Sequence, residues 1–476
     1  MNSDNKSVSP DADKRLSAQV VSNEENSFIT APVGGVVLKT ALPIIIVMLV
    51  NGAYNLADAW FLGKYVGADA LAAVTLMFPL QMFLLALATA VSTGLASVLA
   101  RRLGAGDRTR GYAAYSAALV LSVAIPAVII SLFLAFGDQF VLSLAGGDAG
   151  MADMAKAYMT IFVTAVPLLF VLSSNLDVLR TEGKASQMAL ITIVSTLLNI
   201  VFNYLLIVEA RMGVEGAAIG TVASQVVSLL LTFKVFSKMP YRPRAASVGW
   251  SHLMADCSEI IGLGLPYSLN FIGVSLVAIA AVYGLQNWPP VNYEATIGAY
   301  GITTRLTTFM VLPLIGLTMA LQTVVGHNHG AGRDDRVKKA VWLVVLGALG
   351  YCLTVEGIFI AGNESMGHLF VDDAPIIAET ARLLPVMVLC FFLAGPNMVF
   401  AQYFQAIGAK GNAALLNLSR TYIFLLPLMF LLPLYWGEPG LWIARPVAEI
   451  GVTLVTMWVL LSRSGRKLIR RAEASR

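Results

Sequence analysis

The stretch LARRLGAGDRTR at residues 99–110 returns in altered form as VVGHNHGAGRDDR at 324–336. Each copy follows a long apolar run and turns through Gly-Ala-Gly into a cluster of charges. Two further pairs keep the same offset of about 225 residues, the signature of an internal repeat. MGVEGAAIGTVASQ (212–225) matches WGEPGLWIARPVAE (436–449), with Gly213/Gly437, Gly216/Gly440 and Ile219/Ile443 in register. LRTEGKAS (179–186) lies where FQAIGAKG (404–411) lies in the second half. The chain is one unit written twice, so the nature of that unit decides the fold.

The unit is membrane-embedded. Of 476 residues, 57% are hydrophobic and only 13% charged, with a mean hydropathy of +0.75. A soluble chain carries about a quarter charged residues. Apolar runs long enough to cross about 30 Å of hydrocarbon recur throughout, and helices satisfy the backbone of such runs internally. The runs predict helices near 39–62, 72–100, 112–136, 157–179, 186–208 and 216–238. A second set follows near 260–284, 296–325, 339–362, 384–407, 415–434 and 440–462. The expected fold is an all-α polytopic membrane protein with twelve transmembrane helices in two pseudo-symmetric six-helix bundles.

One set of loops plus both tails holds 26 of the 32 Lys and Arg residues, and the opposite loops hold four: Lys64, Lys156, Arg211 and Arg382. The positive-inside rule places both termini in the cytoplasm and supports an even number of spans. The net charge of +4 is therefore a topology signal and does not point to nucleic acid. The domain reading is a disordered cytoplasmic tail (1–36), an N-lobe (37–238), a cytoplasmic inter-lobe linker (239–259), a C-lobe (260–462) and a basic cytoplasmic tail (463–476). Both halves start inside, so the repeat is parallel. Such repeats suit transporters that rock one lobe against the other around a cavity between them. Cys257, Cys352 and Cys390 are isolated and imply no disulfide framework.

An ionised group in the bilayer is a functional suspect. Six lie within the spans: Asp58, Asp177, Arg305, Glu356, Arg445 and Glu449. Asp177 is three residues from Arg180 and reads as a boundary pair. Glu356 is near an outer end and reads as snorkelling. Arg445 and Glu449 are four apart and can pair on one helix, as structural glue or a gate. Arg305 has no sequence-local acid. Asp58 differs by its company: Asn51, Asn55 and Asp58 line one face of helix 1. Helix 5 brings Ser195, Asn199 and Asn203, and helix 6 brings Thr221, one turn from Ala217. Converging carboxylate, amide and hydroxyl oxygens suit Na⁺. Alternatively, desolvation makes Asp58 a proton carrier, or the group is interhelical hydrogen-bonding glue. Spacing leaves these open. His327-Asn328-His329 falls in a predicted cytoplasmic loop without a third metal ligand.

Several segments resemble the multidrug and toxic compound extrusion (MATE) family. They are YNLADAWFLGKYVGADALAAV, LRTEGKAS, NIVFNYLLI, YGITTRLTTFMVLPLIGLTMALQTVVGHNHGAG and LSRTYIFLLPLMFLLP, in order across residues 37 to 462. The resemblance implies a V-shaped pair of bundles exporting organic cations against an inward H⁺ or Na⁺ gradient, with no other cofactor. It places Asp58 on the N-lobe coupling aspartate, Asn199 and Thr221 on neighbouring polar positions, and Ala217 on a backbone-carbonyl ligand. Together with Asn55 and Asn203 these form the expected ion-coupling set, with Na⁺ or H⁺ at Asp58, Asn199, Asn203 and Thr221. Asn203 departs from the family where some members carry a second aspartate. Helices 7 and 10 lack the acids that some members carry there.

The functional expectation is a multidrug antiporter of the bacterial inner membrane, not an enzyme. It is expected to act as a monomer on small-molecule drugs and toxic cations, in contact with membrane lipids. The substrate surface would come from Tyr54, Phe78, Met82, Phe83, Phe309 and Met310. A flippase of a lipid-linked saccharide is the alternative, carried by Arg305 and Arg445.

Overall fold

A computed structural model describes residues 26–65, 73–74, 76–145, 149–239 and 249–462, with the side chains of 54–64 and 149 left out. Ten helices are long and apolar enough to span a bilayer, and two bent pairs complete twelve spans. The first six are α1 (Val33–Tyr65), α2 (Phe78–Gly104), α3 (Arg108–Leu144), α4 (Ala149–Thr164 and Val166–Thr181), α5 (Ala185–Asn203, continuing as a π-helical turn Tyr204–Glu209) and α6 (Gly213–Ser237). The second six are α7 (Trp250–Asn287), α8 (Tyr293–Gly330), α9 (Asp334–Ala361), α10 (Ala374–Val388 and Phe391–Ala406), α11 (Lys410–Leu418 with π-helical Ser419–Leu425 and Leu426–Leu431) and α12 (Glu438–Leu461). We call the Arg/Lys-rich end, where α2 meets α3 and α8 meets α9, the basic end.

The repeat survives as matching breaks. α4 bends by 48° around Ala165, just before Pro167, and α10 bends by 44° around Cys390. These breaks stand at the repeat offset, but the two lobes complete them differently. In α4 a proline at the start of the second arm needs no hydrogen-bond partner there. In α10 the chain turns through a left-handed Cys390 (φ 67°), which frees amide groups inside the bundle. Glu356 of α9 takes them: its carboxylate accepts from Cys390 N at 3.0 Å and Phe392 N at 2.8 Å. Glu356 is thus buried as a helix cap and does not snorkel.

The lobes trade first helices at the basic end. Val33, Val36 and Val37 of α1 pack in a C-lobe cluster with Val324, Val341 and Val399. Reciprocally, Cys257, Ile260 and Leu263 of α7 pack in the N-lobe cluster. Glycine sets the depth of this exchange. A Cβ at Gly94 would overlap the Ile260 carbonyl, and one at Gly264 the Ala90 carbonyl.

Two domain boundaries move. Residues 26–36 are ordered: Asn26 caps the short helix Ser27–Thr30, whose Phe28 and Ile29 are buried, and α1 starts at Val33. Residues 250–259 are the first turns of α7, held by ion pairs of Arg101 and Arg102 with Asp256 and Glu259. The tail 1–25, linker residues 240–248 and the tail 463–476 lie outside the described residues.

Glu356→Ala removes the acceptor of two buried amides, at a cost of about 1–3 kcal/mol. Thermal unfolding of the purified protein in detergent is expected to shift down by several degrees, with Glu356→Gln, which keeps one oxygen, shifting less.

Candidate functional site

In the N-lobe, α5 and α6 hold a hydrogen-bonded chain of neutral polar groups. Asn199 and Asn203 stand one turn apart on α5 and face α6. Asn199 Nδ2 donates to Thr221 Oγ1 at 3.1 Å, and Thr221 Oγ1 donates to Ala217 O at 3.0 Å. Asn203 Nδ2 donates to Asn199 Oδ1 at 3.2 Å. Asn199, Asn203 and Ala217 are buried, and Thr221 is half-buried. Gly220 lets Asn203 reach α6, because a Cβ there would stand 2.5 Å from Asn203 Oδ1. The π-helical turn of α5 begins immediately after Asn203; such turns often mark functional sites. α1 packs along α5. Tyr54, Asn55 and Asp58 lie on α1, and their side chains are outside the described residues.

The other expected site residues separate. Phe78 and Phe83 are exposed at the far end of α2, with Met82 half-buried. Phe309 closes with Leu312 on Gly52 of α1, where a Cβ would stand 3.2 Å from its ring. Met310 is 2% exposed in a C-lobe core cluster, and its carbonyl accepts from Tyr351 Oη at 3.0 Å. It packs in that core, while its neighbour Phe309 points about 100° away around the helix.

The expected Arg445–Glu449 pair does not form. Glu449 takes Arg420 of α11 at 2.5 Å, and Arg445 donates to Thr307 Oγ1 of α8 at 3.3 Å. Arg420, counted in the sequence with the cytoplasmic charges, stands on the π-helical turn of α11. Its repeat counterpart by the 179–186/404–411 match is Ser195, which donates to Ser224 O at 3.3 Å. The same contact between the fifth and sixth helices of the unit is neutral in one lobe and ionic in the other.

The basic end is sealed between lobes, and sequence reasoning missed most of the seal. Asp177 and Arg180 do pair, at 2.8 Å, but the guanidinium also crosses to α8. It donates to Met319 O at 2.7 Å, Thr323 Oγ1 at 2.7 Å and Gln322 Oε1 at 3.1 Å, and is 0% exposed. Gln322 Nε2 donates on to Thr93 O at 3.2 Å, and Ser97 Oγ to Gln405 O at 2.5 Å. His327 and Asn328 lie inside α8, not in a loop. His327 Nε2 stands 2.9 Å from Thr181 O, and Nδ1 stands 3.0 Å from Asn26 Nδ2. Phe28 stacks on the imidazole at 4.5 Å. Arg336 and Asn328 hold the Phe28 carbonyl at 3.2 and 3.1 Å, so the segment before α1 straps the seal. Beside it, burial pushes the Glu182 carboxyl above its usual range, against the pull of Arg108 at 3.3 Å. A local charge search finds Arg180 beside Asp177 and stops there, because its other partners are more than a hundred residues away.

A twelve-span, two-lobed membrane protein, sealed between the lobes at one end and polar within them, has the architecture of a transporter rather than an enzyme. The chain belongs to the MatE family, whose model matches residues 43–205 and 266–431. It is 25% identical over 437 residues to a FAD transporter of Shewanella oneidensis, covering 90% of this chain and 94% of the relative. It is likewise 25% identical over 443 residues to the multidrug export protein MepA of Staphylococcus aureus, covering 91% and 94%. Among solved structures, an outward-facing multidrug resistance MATE family transporter matches with a TM-score of 0.84 at 24% identity, covering 94% of this chain and 98% of the other. A transporter from Pyrococcus furiosus described as having a binding pocket of reverse polarity matches at 0.82 and 24%, covering 91% and 96%.

A Cβ on Gly104 would overlap the His327 carbonyl, and one on Gly330 the Arg101 carbonyl. Gly104→Ala and Gly330→Ala are each expected to weaken the seal by about 1–3 kcal/mol, as overpacking does. Hydrogen exchange read by mass spectrometry checks this: peptides covering 90–104 and 319–330 should exchange about tenfold faster than in the parent.

Proposed function

We propose that the protein is a cation-coupled antiporter that exports amphipathic, often cationic organic compounds across the bacterial inner membrane. Its basic end faces the cytoplasm, and it works as a monomer among membrane lipids. Membership of a transporter family supports the general reading, and the likeness to MepA supports drug-like substrates. The observation that carries the coupling proposal is the buried Asn203–Asn199–Thr221–Ala217 chain beside the helix that bears Asp58. A neutral array of amide and hydroxyl groups offers both donors to a carboxylate and oxygens to a cation. Asp58 supplies its missing charge. One carboxylate with neutral oxygens matches a single H⁺ or Na⁺ and compensates a divalent ion poorly.

In this reading Asp58 takes the ion when the lobes open to the outside, with Asn55, Asn199, Asn203, Thr221 and the Ala217 carbonyl around it. Binding the ion and holding the exported compound are alternatives, directly or through bending of α1. Phe78, Met82, Phe83 and Tyr54 contribute the apolar surface for the compound. The flippase alternative rests on Arg305 and Arg445, and Arg445 is engaged within the protein, which leaves that reading less supported. The FAD-transporting relative supports a second reading, in which transported compounds include anionic ones.

Asp58→Asn is expected to bring gradient-driven ethidium efflux from a pump-deficient bacterium down to the empty-vector level. Asn199→Ala and Thr221→Ala should retain part of it. Imposed Na⁺ and pH gradients in proteoliposomes identify the ion. Full efflux by Asp58→Asn would remove the coupling assignment, and no efflux by the parent across a broad drug panel would remove the exporter reading.

A further inference from the structure

Charged groups inside the spans are nearly all answered within the protein. Arg180 has four partners, Arg420 has Glu449, and Arg445 has Thr307. Glu356 has two amides. Arg305 differs. Its side chain is exposed, and among the described residues no hydrogen bond or ion pair reaches it. An unanswered guanidinium in a span is costly, so its direction matters.

Helix geometry supplies that direction. Residues 305, 309 and 312 of α8 are spaced four and three apart and share one face. Phe309 and Leu312 close on Gly52 of α1, and further toward the basic end Gly316 closes on Ile45. Arg305 is therefore on the α8 face that meets the N-lobe, one turn beyond the last close contact. A further turn out, nothing stands within 4 Å of where a Cβ on Gly301 would be. Among the described residues the close contacts between α1 and α8 end at Phe309, and Arg305 stands one turn beyond them on the C-lobe side. Thr308, also exposed, lies beside it on the same helix. This face of α8 is the one turned toward the N-lobe.

We propose that Arg305 recognises an anionic group, a carboxylate or phosphate, on transported compounds. The planar fork of a guanidinium matches such groups bidentately, which an ammonium does not. The inference rests on the exporter reading and deepens it. The substrate range then includes amphipathic zwitterions and anions, and the charged wall sorts them by the group they present, leaving ion coupling to the other lobe.

The test is a matched pair of probes on the purified full chain: ciprofloxacin, which carries a carboxylate, and its methyl ester, which does not. Binding is read by fluorescence anisotropy and transport in proteoliposomes, with ethidium as a cation lacking any acid. Arg305→Gln should weaken ciprofloxacin binding about tenfold, the scale of one charge-assisted interaction. Ester binding and ethidium transport should stay at parental levels. Arg305→Lys should recover ciprofloxacin binding only in part, because charge returns without the fork. Equal loss for acid and ester, or no loss for either, overturns the proposal. Failure of the parent to transport any of the three compounds would instead count against the exporter reading.

Discussion

A guanidinium with no exposure holds the two lobes together at the basic end. Arg180 comes from the fourth helix of one lobe and ends on backbone and side-chain oxygens of the second helix of the other. Burying such a charge is expensive, and its hydrogen bonds roughly return what desolvation removes. The net stabilisation of the closed end is therefore small compared with the number of bonds in it. For an interface that the proposed transport cycle would open, this balance is useful. Polar groups exposed on opening are rehydrated by water, whereas an equally large apolar interface would resist separation by the full area it hides. The glycine contacts fit the same logic. They let backbones approach closely and add dispersion without adding sticky side chains.

The exchange of first helices explains how lobes joined this lightly stay in register. The start of α1 belongs to the C-lobe core and the start of α7 to the N-lobe core. Each lobe therefore carries a lever that is rooted in the other. The strap before α1, pinned through Phe28, Asn26 and Arg336, fixes one lever at its base. The base of α7 is held by ion pairs of Asp256 and Glu259 with Arg101 and Arg102. The two halves of the repeat thus meet the same mechanical need by different chemistry.

What could be read from the sequence divides along the same line. The spans, the repeat and the polar face of α5 and α6 were legible because each depends on local periodicity. The breaks in α4 and α10 were not, since Pro167 is common in membrane helices and Cys390 carries no turn signal at all. Glu356 and Arg420 were misjudged for one reason. Both sit near what looked like helix ends, and a helix longer than the bilayer shifts every depth estimate made from run length. The i, i+4 spacing of Arg445 and Glu449 was real, but a shorter contact across helices outcompeted it. Sequence spacing gives neighbours on one helix and says nothing of better partners on the next.

The asymmetry between lobes supports the proposed placing of coupling in the N-lobe. Buried charge in the C-lobe is largely self-compensating: Arg420 neutralises Glu449, and Glu356 is spent on capping a broken helix. Among the described residues the corresponding N-lobe chain, Asn203–Asn199–Thr221–Ala217, is made of neutral groups alone. The equivalent contacts between the fifth and sixth helices of the repeat are a structural ion pair in the C-lobe and a neutral hydrogen bond in the N-lobe.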